Sequence, residues 1–321
     1  MNPGWSGDPD EVAVIIPTLN AGRHLESVIR ALKEQESIQP RSVLVVDSGS
    51  RDGTIEQFRE FGAEVVGLGG RPYNHGGTRR YGTELRPKAK FYVLLTHDAI
   101  PATPDAIARI LAAFENPDVG MAYGRQLPRP DAKGVERHAR LYNYPPNSEV
   151  RGYRDRARLG VKATFCSNSF AAYRADALSA VGGFPKDSYF AEDQFIAGKM
   201  LLAGKDLAYS ADACVIHSHP YSLTDDFRRY FDCGVWHRRD RWLLDEFGEA
   251  EGEGVRFVQS EMRYLARHDP SAMPLAALRS LAKFLGYKLG LKEHLFSPKQ
   301  KKKLAMQSFY WAQQESMRIE G

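Results

Sequence analysis

The sequence predicts an α/β fold in which a mostly parallel central sheet is flanked by helices and followed by a mainly helical C-terminal extension. Short apolar runs alternate with segments whose apolar residues recur at helical spacing, and this alternation is typical of parallel strands joined by crossover helices. Beyond residue 217 the pattern is mainly helical. We therefore expect one α/β domain over residues 1–240 and a helical extension over residues 241–321.

Strands are predicted where apolar runs stop at turn-forming residues. In chain order they are Val12–Ile16, Ser42–Val46, Glu64–Val66, a run from Phe91 that ends at Asp98, Val119–Tyr123 and Cys214–His217. Helices are predicted where apolar residues recur at helical spacing, in segments 25–32, 55–58, 103–114, from 176, and 192–201. Residues 126–162 are rich in Pro, Tyr and Arg. They predict a long loop, and long ordered loops are usually functional.

A chain of 321 residues with 43% hydrophobic residues suits one or two globular domains. Its apolar runs are far shorter than the roughly 20 residues that span a bilayer, and its first dozen residues do not resemble a signal peptide. We therefore expect a soluble, uncleaved, cytoplasmic protein. The net charge of +4 is too small to indicate a nucleic-acid partner. Three widely spaced cysteines predict buried thiols rather than disulfides or a zinc site.

Polar residues follow the apolar strands at the points where three of them end. Thr18 and Asn20 come after the first strand, Asp47 and Asp52 come after the second, and Asp98 ends the fourth. Because the carboxyl ends of parallel strands meet along one edge of a sheet, we expect these side chains to lie together at a ligand site. Asn20 and Asp52 also suit helix N-caps and Asp47 suits a turn, so each has a structural interpretation as well.

Several motifs occur in the order that is typical of a known family. They are Val14–Asn20, Val45–Thr54, Asp98 and Glu192–Asp193, together with Tyr73–Arg79 and Leu94–Pro101. Over about residues 12–240 the chain resembles glycosyltransferase family 2, and the last two runs resemble bacterial rhamnosyltransferases.

The resemblance implies a GT-A fold that binds a nucleoside diphosphate sugar and a divalent cation. It implies inverting transfer of L-rhamnose from dTDP-L-rhamnose to a hydroxyl of a surface polysaccharide or of a polyprenyl-diphosphate-linked glycan. Within the catalytic domain, residues of about 10–125 would bind the nucleotide sugar and residues of about 160–240 would bind the acceptor.

Asp98 is the predicted anchor of Mg²⁺ or Mn²⁺. Such cations are often held by one or two carboxylates plus the substrate phosphates. The usual metal motif of the family is Asp-x-Asp, and Thr96-His97-Asp98 supplies only its last acid. The resemblance places a further histidine ligand at His219, in preference to His217. Either histidine is also compatible with local packing at a strand end.

The nucleotide sugar is predicted to lie against the first strand ends and a glycine-rich stretch. The predicted contacts are Pro17, Thr18, Asn20, Asp47, Ser50, Arg71, His75, Gly76, Arg79, His97 and Asp98. Asp47 would accept the imide proton of the base, and Asp52 would support the Ser48–Ser50 turn. Arg71 and Arg79 flank a run from Asn74 to Gly77 and predict a phosphate-binding loop. The alternative is a solvated basic turn.

Asp193 is the predicted general base, because inverting transfer needs one group that deprotonates the acceptor hydroxyl. It matches the acid of the Glu-Asp motif of the family. Acids are also favoured in the first turn of a helix, which is the structural alternative. Glu192 is predicted either to orient the site or to be solvated.

The C-terminal region carries two further features. Residues 279–303 contain eight Lys or Arg residues and one acid, interleaved with apolar residues. This pattern predicts either contact with an anionic membrane surface or a packed helix with a solvated basic face. Residues 225–247, which include Trp236, would wall the acceptor site or form an oligomer contact. The sequence leaves the oligomeric state open.

Three other functions are compatible with parts of the pattern. A dinucleotide-dependent oxidoreductase would share the strand and helix order, but the first strand is followed by Pro-Thr-Leu-Asn rather than by GxGxxG. A family 2 enzyme that uses a UDP-hexose or a UDP-N-acetylhexosamine would share the motifs. An inactive module that binds a nucleotide sugar would share them as well, since the metal motif is incomplete.

Overall fold

A computed structural model describes residues 8–320, with side chains described through residue 314. The strands of the described chain are β1 Val12–Thr18, β2 Val43–Asp47, β3 Glu64–Gly67, β4 Phe91–Leu95, β5 Ile100–Pro101, β6 Val119–Leu127, β7 Glu149–Arg151, β8 Phe170–Arg174 and β9 Asp206–Ile216. They form one sheet. The predicted strands are confirmed, except that the last one, predicted as Cys214–His217, already begins at Asp206.

Helices lie between the strands and make up the region after β9. The first eight are α1 Leu25–Lys33, α2 Thr54–Phe61, α3 His75–Glu84, α4 Ala106–Leu111, α5 Gly134–Asn143, α6 Arg156–Leu159, α7 Ala175–Ala180 and α8 Glu192–Leu202. The rest are α9 Leu223–Arg239, α10 Arg241–Phe247, α11 Glu253–His268, α12 Met273–Gly290, α13 Pro298–Leu304 and α14 Ser308–Glu320.

The sheet has a parallel half and a mixed half. Its strand order is β3-β2-β1-β4-β8-β6-β9-β5, and β7 pairs with β9. The first four strands are parallel, as predicted, whereas β8 runs antiparallel to both β4 and β6. The α/β class and the helical C-terminal region are confirmed. The mostly parallel arrangement holds for the first half of the sheet, and the mixed second half brings the end of β9 beside the end of β6.

Strand β1 lies at the centre of two apolar cores. Its whole length is buried, and alternate side chains enter different clusters. Ala13 and Ile15 join the cluster on one face, whereas Val12, Val14 and Ile16 join the cluster on the other. Side chains alternate between the faces of a strand, and a parallel strand covered by helices on both faces reads as a continuous apolar run. The run that predicted β1 therefore reflects burial on both sides.

Three local predictions were wrong. The run from Asn74 to Gly77, predicted as part of a phosphate-binding loop, forms the start of α3, because Asn74 caps the helix by accepting a hydrogen bond from the Gly77 N–H at 2.6 Å. Helix α4 begins at Ala106 rather than at Thr103, whose hydroxyl donates instead to Asp105. Residues 126–162 are not one long loop, since they contain α5, β7 and α6.

The C-terminal helices pack onto the α/β part through a shared core. Trp311 and Tyr310 belong to the same buried cluster as residues of β1 and β8, and Tyr189 lies against both rings. Among the described residues, no helix is long and apolar enough to cross a membrane. The three cysteines carry free thiols, as predicted, but Cys166 is buried whereas Cys214 and Cys233 are only partly buried.

Candidate active site

The loops after β1 and β2 are joined at the edge of the sheet, as the strand pattern predicted. Thr18 and Asp47 are partners in the register of β1 and β2. Asn20 has a left-handed backbone with φ 48°. Its N–H donates to Ser50 Oγ at 2.8 Å, and its Oδ1 accepts from the Arg51 N–H at 2.9 Å. These contacts fix the two loops as one surface.

The two acids after β2 have different local partners. Asp47 is buried and accepts from the N–H groups of Gly49 and Ser50 at 2.7 and 3.0 Å, and from the Ser50 hydroxyl. Asp52 accepts from the Gly22 N–H at 3.0 Å and from the Thr54 hydroxyl. The Ser48–Ser50 turn is therefore held by Asp47. Asp52 joins the start of α2 to the loop after β1, which corrects the role expected for it.

Two buried hydroxyl groups at this edge are candidates for ligand contact. Thr18 Oγ1 and Ser48 Oγ have no hydrogen-bond partner within the described part of the chain. Pro17, which precedes Thr18, is buried within β1. A buried polar group without a partner costs free energy. A base or ribose seated against these strand ends would satisfy the two hydroxyls.

Asp98, His217 and His219 converge on one point. The distances from Asp98 Oδ2 to His217 Nε2 and to His219 Nε2 are both 3.4 Å, and the two Nε2 atoms are 3.1 Å apart. The candidate ligand atoms all lie within 4.8 Å of one another. The structure therefore brings together the predicted metal anchor and both candidate histidines, rather than His219 alone.

Burial and charge set the ionisation of this cluster. Burial would raise the pKa of Asp98. In acid, however, where the imidazoles are protonated, the hydrogen bond from His217 and the charges of His217 and His219 outweigh burial and hold that pKa well below its usual range. Burial lowers the pKa of His217, and it lowers the pKa of His219 to about 4. At neutral pH the cluster is therefore one carboxylate and two neutral imidazoles.

Gln126 orients His217 from the end of β6, a role that the sequence did not indicate. Its Oε1 lies 2.9 Å from His217 Nδ1 and also accepts from Arg140, while its Nε2 donates to Ser167 Oγ at 2.9 Å. Because an amide oxygen only accepts, His217 Nδ1 carries the proton and its Nε2 presents a lone pair to Asp98. A carboxylate oxygen and an imidazole lone pair then face each other, an arrangement that a cation stabilises.

Basic residues surround the strand end that carries Asp98. Arg129 Nη2 donates to the Asp98 carbonyl at 2.8 Å, and its Nε donates to the Ser218 carbonyl at 3.2 Å. Burial, together with the nearby charge of Arg129, lowers the pKa of His24. His97, which was predicted to contact the nucleotide sugar, is half-buried. Arg129 and His24 were missed because their relation to Asp98 exists only in three dimensions.

Asp193 lies in the first turn of α8, two residues after a residue with a strained backbone. Ala191 precedes the helix with a left-handed φ of 54°. Asp193 accepts from the Asn168 N–H at 3.2 Å. Burial and the adjacent charge of Glu192 raise the pKa of Asp193 above the ordinary range for an aspartate. A half-buried carboxylate with a raised pKa is suited to accept a proton.

Glu192 is an internal partner rather than a solvated acid. It forms an ion pair with Arg79 at 3.1 Å, and both side chains are almost wholly buried. Asn168 Nδ2 donates to Glu192 at 2.9 Å, and the Tyr173 hydroxyl donates to Asn168 Oδ1 at 2.6 Å. The solvated alternative for Glu192 is excluded. The predicted phosphate ligand Arg79 is held inside the protein by this pair.

The glycines of α3 allow the backbone of residues 185 and 186 to pack closely against the helix. A Cβ atom on Gly76 would collide with the Pro185 carbonyl, and one on Gly77 would collide with the Lys186 carbonyl. His75 Nε2 lies 3.3 Å from Gln307 Oε1. The helix is thus packed between the loop before α8 and the C-terminal segment.

Two further predicted residues lie in contrasting places. Arg71 is exposed, and its guanidinium lies 4.1 Å from the centre of the Tyr81 ring. Trp236 is buried in the core, with 3% of its surface exposed. Trp236 therefore offers no surface to an oligomer partner.

A single short segment joins the two acidic centres. Ser167 accepts from Gln126, which orients His217, while the Asn168 N–H donates to Asp193. The Ser169 carbonyl accepts from the Thr96 N–H at 3.2 Å, two residues before Asp98. Residues 167–169 therefore connect the Asp98 cluster with the candidate base through hydrogen bonds.

This architecture is that of the GT-A nucleotide-sugar transferases. A mannosyltransferase from Pyrobaculum calidifontis, solved with GDP-Man and Mn²⁺, has a TM-score of 0.55 to this chain at 22% identity, covering 99% of this chain and 91% of the other. S. aureus TarS, solved with UDP-GlcNAc, has a TM-score of 0.51 at 14% identity, covering 88% and 91% of the two chains. At these identities the likeness shows the fold.

Sequence comparison gives the family. The family model for glycosyl transferase family 2 matches residues 13–182. The O-antigen chain rhamnosyltransferase RfbN of Salmonella typhimurium is 42% identical over 281 residues, which cover 87% of this chain and 89% of the relative. WbaN of Salmonella anatum, which carries the same description, is 39% identical over 277 residues, covering 86% and 88%. The chain belongs to glycosyltransferase family 2.

These findings confirm the resemblance and the class of activity. The chain is a glycosyltransferase whose similarity to bacterial rhamnosyltransferases extends over most of its length. The missing GxGxxG had already argued against the oxidoreductase alternative.

Proposed function

We propose that the protein transfers L-rhamnose from dTDP-L-rhamnose, with inversion at the sugar, to a hydroxyl of a growing surface glycan. The relatives named as O-antigen chain rhamnosyltransferases support the donor sugar and the class of acceptor. The observation that carries the proposal is the segment Ser167–Ser169, which borders both the Asp98 cluster and Asp193. Donor and acceptor would meet across that segment.

Asp98, His217 and His219 would hold the divalent cation. The fit rests on the donor set, since one carboxylate and two neutral imidazoles converge with their lone pairs on one point. Imidazole nitrogen suits transition metals better than Mg²⁺, so we favour Mn²⁺. When bound, the cation would neutralise the charge that develops on the departing diphosphate. Arg71, which is exposed, is assigned to the same phosphates.

Thr18, Ser48 and Asp47 would hold the thymine nucleotide. The two buried hydroxyls without partners support this placement. Asp47 already accepts several hydrogen bonds from its own turn, yet a carboxylate has about four lone-pair sites, so one more contact to the imide of the base is available. We assign the donor to the first half of the domain and the acceptor to the second half.

Asp193 would remove the proton from the attacking hydroxyl. Its raised pKa makes it a stronger base than an exposed aspartate while it stays largely ionised above that pKa. Glu192 and Arg79 would position Asp193 without contacting substrate, because their buried ion pair fixes the start of α8. In this assignment Arg79 positions the base rather than the phosphate.

The acceptor of such a reaction is a lipid-linked or polymeric glycan. We propose that the enzyme works in the cytoplasm, at the surface of the membrane that holds this acceptor. The basic C-terminal region supports this location.

A panel of nucleotide sugars tests the donor. Stabilisation against thermal unfolding follows ligand affinity, so we expect dTDP-L-rhamnose with Mn²⁺ to raise the melting temperature more than UDP-glucose, UDP-galactose or UDP-N-acetylglucosamine. Release of dTDP on addition of acceptor would then show transfer. Preference for a UDP-sugar would assign the other donor class, and binding without nucleotide release would identify an inactive module.

A further inference from the structure

Helix α12 packs onto the protein with its small residues inward. Gly286, Gly290 and Ala276 are its buried residues. A Cβ atom on Gly286 would collide with the Phe227 carbonyl, and one on Gly290 would collide with the Phe231 carbonyl. The backbone of α12 therefore lies directly against α9. A helix that packs through glycines turns its large side chains away from the core.

The outer face of α12 is a row of large apolar side chains. Between 46% and 56% of the surface of each is exposed, and their positions recur at helical spacing. They are Leu275, Leu278, Leu281, Phe284 and Leu285, together called the α12 ridge. Single exposed leucines are normal on a protein surface, but a contiguous apolar row indicates an interaction site.

Lysines continue the α12 ridge at its C-terminal end. Lys288 follows Phe284 by one turn, its Nζ 5.7 Å from the centre of the Phe284 ring, and exposed Lys292 follows one turn later. No Asp or Glu occurs in residues 273–292. The face therefore combines apolar bulk with unopposed positive charge.

Apart from half-buried Lys283, whose Nζ lies against the rings of Tyr230 and Phe257, the remaining basic residues divide into two groups. Arg279 and Lys301 form ion pairs with Asp226 and Glu293, so their charge is neutralised within the protein. Lys299, Lys302 and Lys303 on α13 are exposed. Only part of the basic stretch that the sequence indicated is thus available to a partner, and the available part includes the end of the α12 ridge.

We propose that the α12 ridge docks the enzyme on an anionic lipid bilayer. The leucines and Phe284 enter the boundary between headgroups and acyl chains, while Lys288 and Lys292 extend to the lipid phosphates. This inference rests on the membrane location proposed above and names the surface responsible, independently of the donor. Helix α12 thereby holds the catalytic domain beside a lipid-linked acceptor.

A second copy of the chain fits the face less well than a bilayer does. In a symmetric dimer the same patch meets itself. Because α12 carries no acid, a self-contact would bury Lys288 and Lys292 without opposite charge from the partner helix. A bilayer of anionic lipids supplies both the apolar depth and the negative charge.

Vesicle flotation with the full chain tests the docking surface. We expect the protein to float with vesicles of phosphatidylglycerol and phosphatidylethanolamine, and Leu278→Ser/Leu281→Ser/Phe284→Ser to lower the bound fraction about tenfold or more. The control Val150→Ser/Leu202→Ser removes comparably exposed apolar residues from elsewhere and should bind normally. Lys288→Gln/Lys292→Gln should weaken binding to these vesicles more than binding to phosphatidylcholine alone.

Two measurements separate this inference from the assigned reaction. Far-ultraviolet circular dichroism and transfer to a short soluble acceptor should be unchanged in the ridge variant, because the substituted side chains are exposed and are not among the candidate site residues. Equal flotation of the ridge variant and the wild type would overturn the proposal. Sedimentation without vesicles gives a second test. If the wild type were a dimer and the ridge variant a monomer, the proposal would also be overturned, since the ridge would then bind a second copy of the chain.

Discussion

Asp98 and Asp193 are two partly buried acids, one in the loop after β4 and one in the first turn of α8, and their surroundings act on ionisation in opposite directions. Asp98 faces two imidazoles and has a pKa well below the ordinary value. Asp193 lies beside Glu192 and has a raised pKa, because burial and like charge both disfavour its ionised form. One residue type thus gains two chemical characters from two environments.

The difference follows from what each acid lacks. Asp98 has no acidic neighbour in the Asp-x-Asp position, where Thr96 stands, and its partners come from the distant end of β9. Asp193 has an acidic neighbour, Glu192, and the nearby cation Arg79 pairs with Glu192 rather than with Asp193. These surroundings suit Asp98 to its proposed role as a ligand and Asp193 to its proposed role as a base. The following variants test whether the two roles separate in this way.

Asp193→Asn should cause the largest loss of activity. Removing a general base typically costs 10²–10⁴-fold in rate, and we expect turnover to fall by about that factor while nucleotide binding is retained. The measurement is steady-state release of dTDP in the presence of acceptor, beside thermal-shift titration with donor. Asp176→Asn is the matched control, because Asp176 is a first-turn acid of α7 that is exposed. Near-normal turnover of Asp193→Asn would remove Asp193 from the reaction.

Glu192→Gln should cause the largest loss of stability among the variants. It leaves the buried guanidinium of Arg79 without its countercharge, and breaking a buried pair from one side costs about 3–5 kcal/mol. Glu84→Gln removes the partner of Arg80 on the surface of the same helix, where the expected loss is below about 1 kcal/mol. Urea unfolding of both variants measures the contrast. Equal losses would mean that the Arg79–Glu192 pair has no special structural role.

Asp98→Asn should abolish the response to metal. It removes the only carboxylate among the three converging groups, and we expect about a 100-fold or larger loss of turnover, since a bound cation supplies several kcal/mol of charge stabilisation. Mn²⁺ titration of activity and of thermal stability provides the measurement. Asp212→Asn, an exposed acid on β9, should behave like the wild type. An unchanged Mn²⁺ response in Asp98→Asn would place the cation elsewhere.

The sequence predicted the fold and the convergence of the strand ends because both depend on local patterns. Apolar runs identify strands buried on both faces, and polar residues that end parallel strands meet at one edge. Helix α3 escaped prediction because Gly76, Gly77 and its polar residues favour a loop locally. Its glycines are explained by the approach of Pro185, more than 100 positions away along the chain.

The contacts that tune the site could not be predicted for the same reason. Gln126 reaches His217 because β6 and β9 are paired with Gln126 opposite Val215. Asn168 reaches both Glu192 and Asp193 because the chain just before β8 lies beside the start of α8. Neither relation leaves a trace in residue spacing. Sequence spacing reveals which residue types carry the chemistry, and the register of distant strands decides how each one ionises.

Gln126→Leu should weaken the metal site without removing a ligand. It deletes the acceptor that fixes the His217 ring, and loss of such an outer partner typically lowers metal affinity by about 10–100-fold. Turnover at saturating Mn²⁺ should stay close to that of the wild type. Gln126→Glu keeps an oxygen acceptor and should restore most of the affinity. If Gln126→Leu lowered turnover at every Mn²⁺ concentration alike, Gln126 would contribute to the fold rather than to the metal site.

The smallest expected effects are changes in stability of opposite sign, a gain in Asp193→Asn and a loss in Asp98→Asn. With a raised pKa in the folded state, Asp193 costs stability as pH rises from the ordinary Asp value through its own pKa. Asp98, whose pKa is lowered, stabilises the fold above the ordinary value and loses that contribution as pH falls toward its own pKa. A tenfold change in proton affinity on folding corresponds to about 1.4 kcal/mol of stability.

Urea unfolding without metal at about pH 7 and about pH 4 measures both contributions. Asp193→Asn should be more stable than the wild type at neutral pH, and its advantage should shrink in acid. Asp98→Asn should be less stable than the wild type at the acid point, because Asp98 stays ionised there and offsets the charge of the imidazoles that protonate in acid. Changes of the same sign, a gain in both variants or a loss in both, would mean that the surroundings of the two acids do not hold them in opposite states. The surroundings of Asp98 and Asp193 would then give no reason to assign one as a metal ligand and the other as a general base.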